Sequence, residues 1–232
     1  MISIRPAAER GKTSTSWLES NHTFSFNRYY DPKWSGFRHL RVINEDYVAP
    51  GQGFGTHSHR DMEILSYVVA GQLAHQDSTG GRSVIRPGEM QRMTAGTGVS
   101  HSEFNPSGTE PTHFLQIWII PEREGLTPGY EQREFPFSEQ TGKLHLVASP
   151  DGNNGSLTIH QQVKLYLGLL GPDQEISYEL PAGRHAWTQV VRGELALNGA
   201  SLQAGDGAAI SDERQIRMQA SVGAGVLLFD LA

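Results

Sequence analysis

GFGTHSHRDMEILSYVVAG, residues 53–71, starts as glycine-punctuated polar sequence and turns into an apolar run stopped at Gly71. In an extended chain residues two apart share a face, so His57 and His59 would present both imidazoles on one side. Downstream, QLAHQD (72–77) turns at STGG, and GRSVIRPGE (81–89), EMQRMTAG (89–96) and VSHSEFN (99–105) are short elements. HFLQIWII (113–120) is an apolar strand closed by Pro121. Upstream, HTFSF (22–26) alternates and HLRVINEDYV (39–48) reads as a strand ended by APGQGFG. Short alternating or apolar runs between turn signals, with 26 Gly and 12 Pro and no long amphipathic helix, predict an all-β barrel or sandwich.

Residues 121–143, containing LTPGY and FPFSEQTG, read as a connector with room for a helical turn. A second series of short strands follows, from KLHLVASP to GVLLFDLA. The two series are alike: YVVAGQLA (67–74) matches QVVRGELA (189–196), and RPGEM (86–90) matches QAGDG (203–207) in the same order. Repeated units imply repeated folds. The expectation is two small antiparallel barrels packed together, the first over 1–130 and the second, with the connector, over 131–232.

The charge balance, 19 basic against 25 acidic residues for a net −6, contains no polybasic run, so direct nucleic-acid binding is not expected. There is no cysteine, which removes disulfides, thiolate nucleophiles and thiolate metal ligands. MISIRPAAERGKTSTSW lacks the apolar core of a signal peptide, and no stretch of 18 apolar residues exists. A cytoplasmic monomer without membrane contact is the expectation.

The sequence HSE at 101–103 repeats the geometry of HSH at 57–59, so His101 and Glu103 would also share a strand face. Two neighbouring strands would then bring four N/O donors together, a set that suits Fe(II), Mn, Ni, Co, Cu or Zn. Glu63 and Asp61 have the same parity as His57 and His59 if the strand is regular and stay open as ligands. His75, His113, His22 and His39 are isolated and read as core, surface or supporting residues.

The pattern resembles the first cupin motif in Gly51, His57, His59 and Glu63, with Gly71 one residue late, and the second in Gly81, Pro87, His101 and Asn105, with Glu89 where a glycine is usual. HTFSFNRYYDP (22–32), GFGTHSHRDMEILSYVVAG (53–71), RPGEMQRMTAGTGVSHSEFNPS (86–107) and LQIWIIPE (115–122) resemble the pirin family over essentially the whole chain. That resemblance implies a bicupin with two jelly-roll-type barrels and a metal only in the N-terminal one. It implies the ligand set His57, His59, His101 and Glu103, ranking Glu103 above Glu63, with Fe(II) as the ion.

The bacterial members most similar to the chain look like quercetin 2,3-dioxygenases, which implies O2-dependent ring cleavage of a flavonol with release of carbon monoxide. Glu103 would then be both ligand and catalytic base, and Phe24, Phe26, Phe54 and Met62 are wall candidates for a flat aromatic substrate. The alternative is a non-enzymatic iron-binding regulatory module, as in a eukaryotic branch of the family. A sugar-isomerising cupin would need phosphate or hydroxyl binders that the motifs do not supply. In the second half, aligning Gly71 with Gly193 and Gly88 with Gly205 puts Glu179, Pro181 and His185 at the positions of His57, His59 and Glu63, and Met218 and Ala220 at those of His101 and Glu103. Two donors are too few for a good site, so no metal is expected there.

Overall fold

The computed structural model of the chain describes residues 1–135 and 140–232. The first stretch carries β1 (Ile2–Arg5), β2 (Gly11–Ser14), β3 (Leu18–His22), β4 (Leu40–Val48), β5 (Gly53–His59), β6 (Glu63–Ala70), β7 (Leu73–Asp77), β8 (Arg82–Ile85), β9 (Glu89–Thr94), β10 (Val99–Phe104), β11 (Thr112–Ile119) and β12 (Gly129–Glu134). The second carries β13 (Lys143–Ser149), β14 (Leu157–Thr158), β15 (Val163–Leu170), β16 (Gln174–Glu179), β17 (His185–Leu197), β18 (Ala200–Gln203), β19 (Gly207–Ile210), β20 (Gln215–Ala220) and β21 (Ala224–Leu231). No helix among these residues is long and apolar enough to cross a membrane.

The chain divides into two compact units. One comprises Gly11–Phe135 with Leu157–Gln161; the other comprises Met1–Arg10, Pro136–Ser156 and Gln162–Ala232. In the first unit a seven-stranded sheet runs β12-β9-β6-β11-β4-β3-β2 and a four-stranded sheet runs β5-β10-β7-β8. In the second, β1-β19-β17-β21-β15-β13 is the main path, with β18 and β20 on β17 and β16 on β20. The second unit buries one large apolar cluster that includes Ile176, Val190, Leu195, Ile216, Met218 and Val226.

The all-β expectation holds, but the two closed barrels do not. The strands form three sheets and none closes on itself: β12 and β2 end one, and β5 and β8 end another. The physical reason is that alternation and turn signals specify strands, whereas closure depends on whether the two terminal strands pair, which local sequence does not encode. The connector is also more structured than expected, because β12 lies within it and pairs antiparallel with β9. The PFSE portion, 136–139, lies outside the described residues. HTFSF is not a strand either: β3 ends at His22, and Phe26 makes only an isolated bridge with Tyr29.

The internal duplication is written into backbone geometry. Gly71 and Gly193 both have φ of 75°. A Cβ on Gly71 would stand 2.5 Å from the Pro111 carbonyl oxygen, and one on Gly193 would stand 2.0 Å from that of Gly223. Each glycine therefore lets the chain cross the backbone just before the last long strand of its unit, β11 or β21. Gly88 and Gly205 pair off similarly, with φ of 90° and 87°. Gly193→Ala combines left-handed strain with a backbone clash and is expected to cost roughly 2–4 kcal/mol. A denaturant melt will check it, and a loss below about 1 kcal/mol would contradict the close approach.

Candidate metal centre

The first unit places the two histidine-bearing segments side by side as β5 and β10, antiparallel, with His57 opposite His101 and His59 opposite Val99. Between His101 and Glu103 the register shifts, so Glu103 faces Phe54 rather than Gly55. Three steps on β5 match two on β10, which is a β-bulge at Gly55–Thr56. Gly53 makes this pairing feasible, since a Cβ there would fall 2.2 Å from the Glu103 carbonyl oxygen.

The ligand-type atoms of His57, His59 and His101 all lie within 4.8 Å of one another. His57 is the most open of the three, His59 is half-buried and His101 is buried. The ring centroids are 4.5 to 4.9 Å apart. Burial holds the His59 imidazole down at about 4, with the His57 ring adding to it. Burial, then His57, His59 and His75, hold that of His101 down at about 3. Both rings are therefore neutral at physiological pH, the form that binds a metal.

Hydrogen-bond partners assign the tautomers. The His57 Nδ1–H donates to the Gly55 carbonyl at 2.8 Å, leaving a lone pair on Nε2. The His75 Nε2–H donates to the Asp77 carboxylate at 2.9 Å, so its Nδ1 is an acceptor. The His101 Nδ1 lies 3.5 Å from that nitrogen and the His101 Nε2 lies 3.1 Å from the His57 Nε2, so in the metal-free protein the one proton of the neutral His101 ring serves either contact. With that proton on Nδ1, the Nε2 atoms of His57 and His101 face each other as two lone pairs. Facing lone pairs at that distance repel unless a cation lies between them, so a divalent metal fits this donor set.

Glu103 is 2% exposed and sits on a polar row that crosses the seven-stranded sheet. His22, Asn44, Gln116, Ser66 and Gln91 are direct cross-strand neighbours in that order along β3, β4, β11, β6 and β9. Gln116 Nε2 donates to one Glu103 oxygen at 2.8 Å and the Ser66 hydroxyl to the other at 3.2 Å. Gln91 in turn donates to Ser66 at 3.3 Å. Burial nonetheless pushes the Glu103 carboxyl up to about 7, with Asp46 nearby adding to it. Glu103 also belongs to a second group of donors, with His75 and His101, in which all three are buried.

Other candidates go elsewhere. The regular strand assumed from His57 to Glu63 breaks at Asp61, whose φ is 48°. Glu63 therefore starts β6 in the other sheet, where its carboxylate oxygen lies 3.4 Å from His160 Nδ1, and Asp61 receives the Gly125 N–H. His113 bonds Glu45 at 2.9 Å and stacks on Tyr47. In the second unit His185 Nδ1 bonds Ser211 at 2.7 Å and Glu179 pairs opposite Gln215 on β20.

A cavity of about 280 Å3 opens between the two sheets of the first unit, with His57, His59 and Glu103 in its wall. Phe26 and Phe54 line it as expected, but Phe24 is only 1% exposed and Met62 packs on the Ile64–Met93 cluster. Trp118, edge-on to His59 at 5.0 Å, is the wall residue that pattern reading passed over.

Residues 4–119 match the pirin family, and residues 146–231 match the quercetinase C-terminal cupin domain. The chain is 51% identical over 231 residues to the quercetin 2,3-dioxygenase of Escherichia coli strain K12, covering 100% of the chain and 99% of the relative. The crystal structure of the bacterial pirin YhhW from Escherichia coli in complex with nickel(II) superposes with a TM-score of 0.95 at 50% identity, over 100% of this chain and 99% of that one. YhaK from Escherichia coli is more distant, at 34% identity and a TM-score of 0.75, covering 90% and 92%.

Proposed function

The chain belongs to the pirin family, and from that membership together with the His57–His101 geometry we propose that it is a metal-dependent dioxygenase cleaving quercetin-like flavonols. The observation that carries the reading is the pair of imidazole nitrogens of His57 and His101, 3.1 Å apart, beside an aromatic-walled cavity that His57 and His59 line. His57, His59, His101 and Glu103 are assigned as ligands of one divalent ion, taken to be iron. A relative that binds nickel(II) supports the divalent charge. When bound, the ion lowers the cost of ionising a hydroxyl placed against it.

The chain's own residues do the rest. Glu103, held near neutrality by burial, takes the proton from the flavonol 3-hydroxyl. Gln116 and Ser66 keep its carboxylate in place, so the base does not have to reorganise when it accepts that proton. Phe26, Phe54 and Trp118 give the cavity an apolar wall on which a flat ring system packs away from bulk water. Dioxygen and the flavonol are the co-substrates, and carbon monoxide leaves with the opened ester. The reaction is placed in the cytoplasm, with a monomer as the working form.

The test is loss of the flavonol absorption band under air, with carbon monoxide released in proportion, using protein loaded in turn with iron, manganese, nickel and cobalt. Consumption that depends on both metal and O2 is expected. No consumption with any of the four would leave a metal-binding module without this activity.

A further inference from the structure

The hairpin from β7 to β8 carries a buried carboxylate that bonds none of the four assigned ligands. Asp77 ends β7 and enters the STGG turn. Its Oδ1 accepts the Thr79 N–H at 2.8 Å, the Thr79 hydroxyl at 2.5 Å and the Gly81 N–H at 3.2 Å. A Cβ on Gly81 would stand 2.5 Å from Oδ2, so the last glycine of the turn makes room for the carboxylate. Burial opposes the charge of this group, but the bonds from Thr79, His75 and Gly81 outweigh burial and hold the carboxyl below its ordinary value. The turn therefore presents Oδ2 of an ionised carboxylate to one partner, the His75 Nε2–H at 2.9 Å.

His75 sits between that carboxylate and the metal centre. It is buried on β7, opposite Glu103 on β10 and Ser83 on β8. The Tyr130 ring packs on it at 4.9 Å, and the Tyr130 hydroxyl is tied to Ser83. The His101 ring is 5.3 Å away, with the two Nδ1 atoms 3.5 Å apart. Among the described residues, His75 is the partner that the His101 Nδ1 has. A histidine that holds an ion through Nε2, here the nitrogen facing His57, keeps its ring proton on Nδ1. That buried N–H needs an acceptor, and the group that accepts it orients the ligand. His75 Nδ1 accepts only while the His75 proton is on Nε2, where Asp77 holds it.

We infer that His75 and Asp77 are positioning residues of the metal centre: Asp77 fixes the tautomer of His75, and His75 holds the His101 proton on Nδ1 so that Nε2 is free for the ion. This rests on the reading of His101 as a metal ligand. Asp77→Asn then inverts the chain. The backbone N–H groups of Thr79 and Gly81 keep the amide oxygen on their side, so the turn is retained and the NH2 faces His75 Nε2 as a donor. His75 must then carry its proton on Nδ1 and offer it to His101, which moves the His101 proton to Nε2. An amide in place of the carboxylate under a histidine acts through such a wrong tautomer.

The experiment uses zinc(II), which is diamagnetic, as the probe. The full chain is titrated with zinc against a competing chelator, and the zinc-loaded protein is studied by nitrogen NMR of its histidine rings. In wild type, His101 is expected to be protonated on Nδ1 and His75 on Nε2. Asp77→Asn should weaken zinc binding roughly 10- to 100-fold. His75→Phe, which keeps a planar ring against Tyr130 but offers no acceptor, should do the same. In the His75→Phe background, Asp77→Asn should change the affinity by less than about 3-fold, because Asp77 acts through His75 alone.

An equal loss from Asp77→Asn in both backgrounds would mean that Asp77 serves only its turn, and it overturns the inference while leaving the metal site intact. A His75 ring protonated on Nδ1 in zinc-loaded wild type does the same, and that measurement needs no variant to fold. If wild type binds no zinc, the metal centre falls and the inference with it.

Discussion

Purified wild-type protein is expected to carry about one divalent ion per chain, and the His57→Ala/His101→Ala variant essentially none, by elemental analysis. The size of the effect follows from the geometry. His57 and His101 supply the two nitrogens that face each other at 3.1 Å, so removing both leaves only His59 and Glu103 of the four assigned donors. Two donors do not hold a non-haem ion against buffer. The fold itself should survive, since His57 is on β5, the edge strand of its sheet, and the His101 ring contacts other histidines. Equal metal in the two proteins would remove the assignment of this site. Glu63→Gln is the matching control: its carboxylate is in contact with His160, and metal content should match wild type.

How far such a site can be read from sequence depends on which relations are local. HSH and HSE are each two-residue relations, and extended backbone carries them directly into shared faces. The relation between His57 and Glu63 spans six residues and assumed no turn, and the left-handed Asp61 invalidates it. Nothing in DMEI marks that turn strongly, although Asp tolerates such a φ better than most residues. The polar row under Glu103 is non-local by nature, built from five strands. Its trace in sequence is a lone Gln or Ser in an apolar run, Gln116 in HFLQIWII and Ser66 in EILSYVVA. A single polar residue in such a run is buried and must find a partner, but which partner depends on register. His75 looked isolated for the same reason: it meets His101 only because Glu103 pairs opposite it across β10 and β7. Closure of the sheets, misjudged as two barrels, is the least local property of all.

Glu103→Gln is expected to act in opposite directions on catalysis and on stability. Flavonol turnover per bound metal should fall about 10²- to 10⁴-fold, the usual contribution of a positioned base, because an amide cannot accept the proton. Metal content should fall less than turnover does. In the metal-free protein the same change should stabilise the fold at alkaline pH. Burial raises the Glu103 pKa from 4.5 to about 7, so between those values the folded state binds more protons than the unfolded one. The contribution of this group is fully present below pH 4.5 and is lost as pH rises through about 7. At pH 8 the ionised carboxylate then costs on the order of 3 kcal/mol at most. The Ser66 and Gln116 donors lose their charged acceptor, so a net gain of roughly 1–3 kcal/mol is expected in Gln. The gain should shrink as pH falls toward 4.5, where the wild-type side chain is neutral in the folded state and half-protonated in the unfolded one. His59 and His101 give the reverse slope, since their lowered values of about 4 and about 3 make stability fall as pH drops below 6.5. That slope is common to both proteins and cancels in their difference. Urea melts of the two metal-free proteins from pH 4.5 to 8 will show whether the difference grows with pH. A constant difference would mean that Glu103 keeps an ordinary carboxylate pKa, and with it would go the reason for casting this residue as the base.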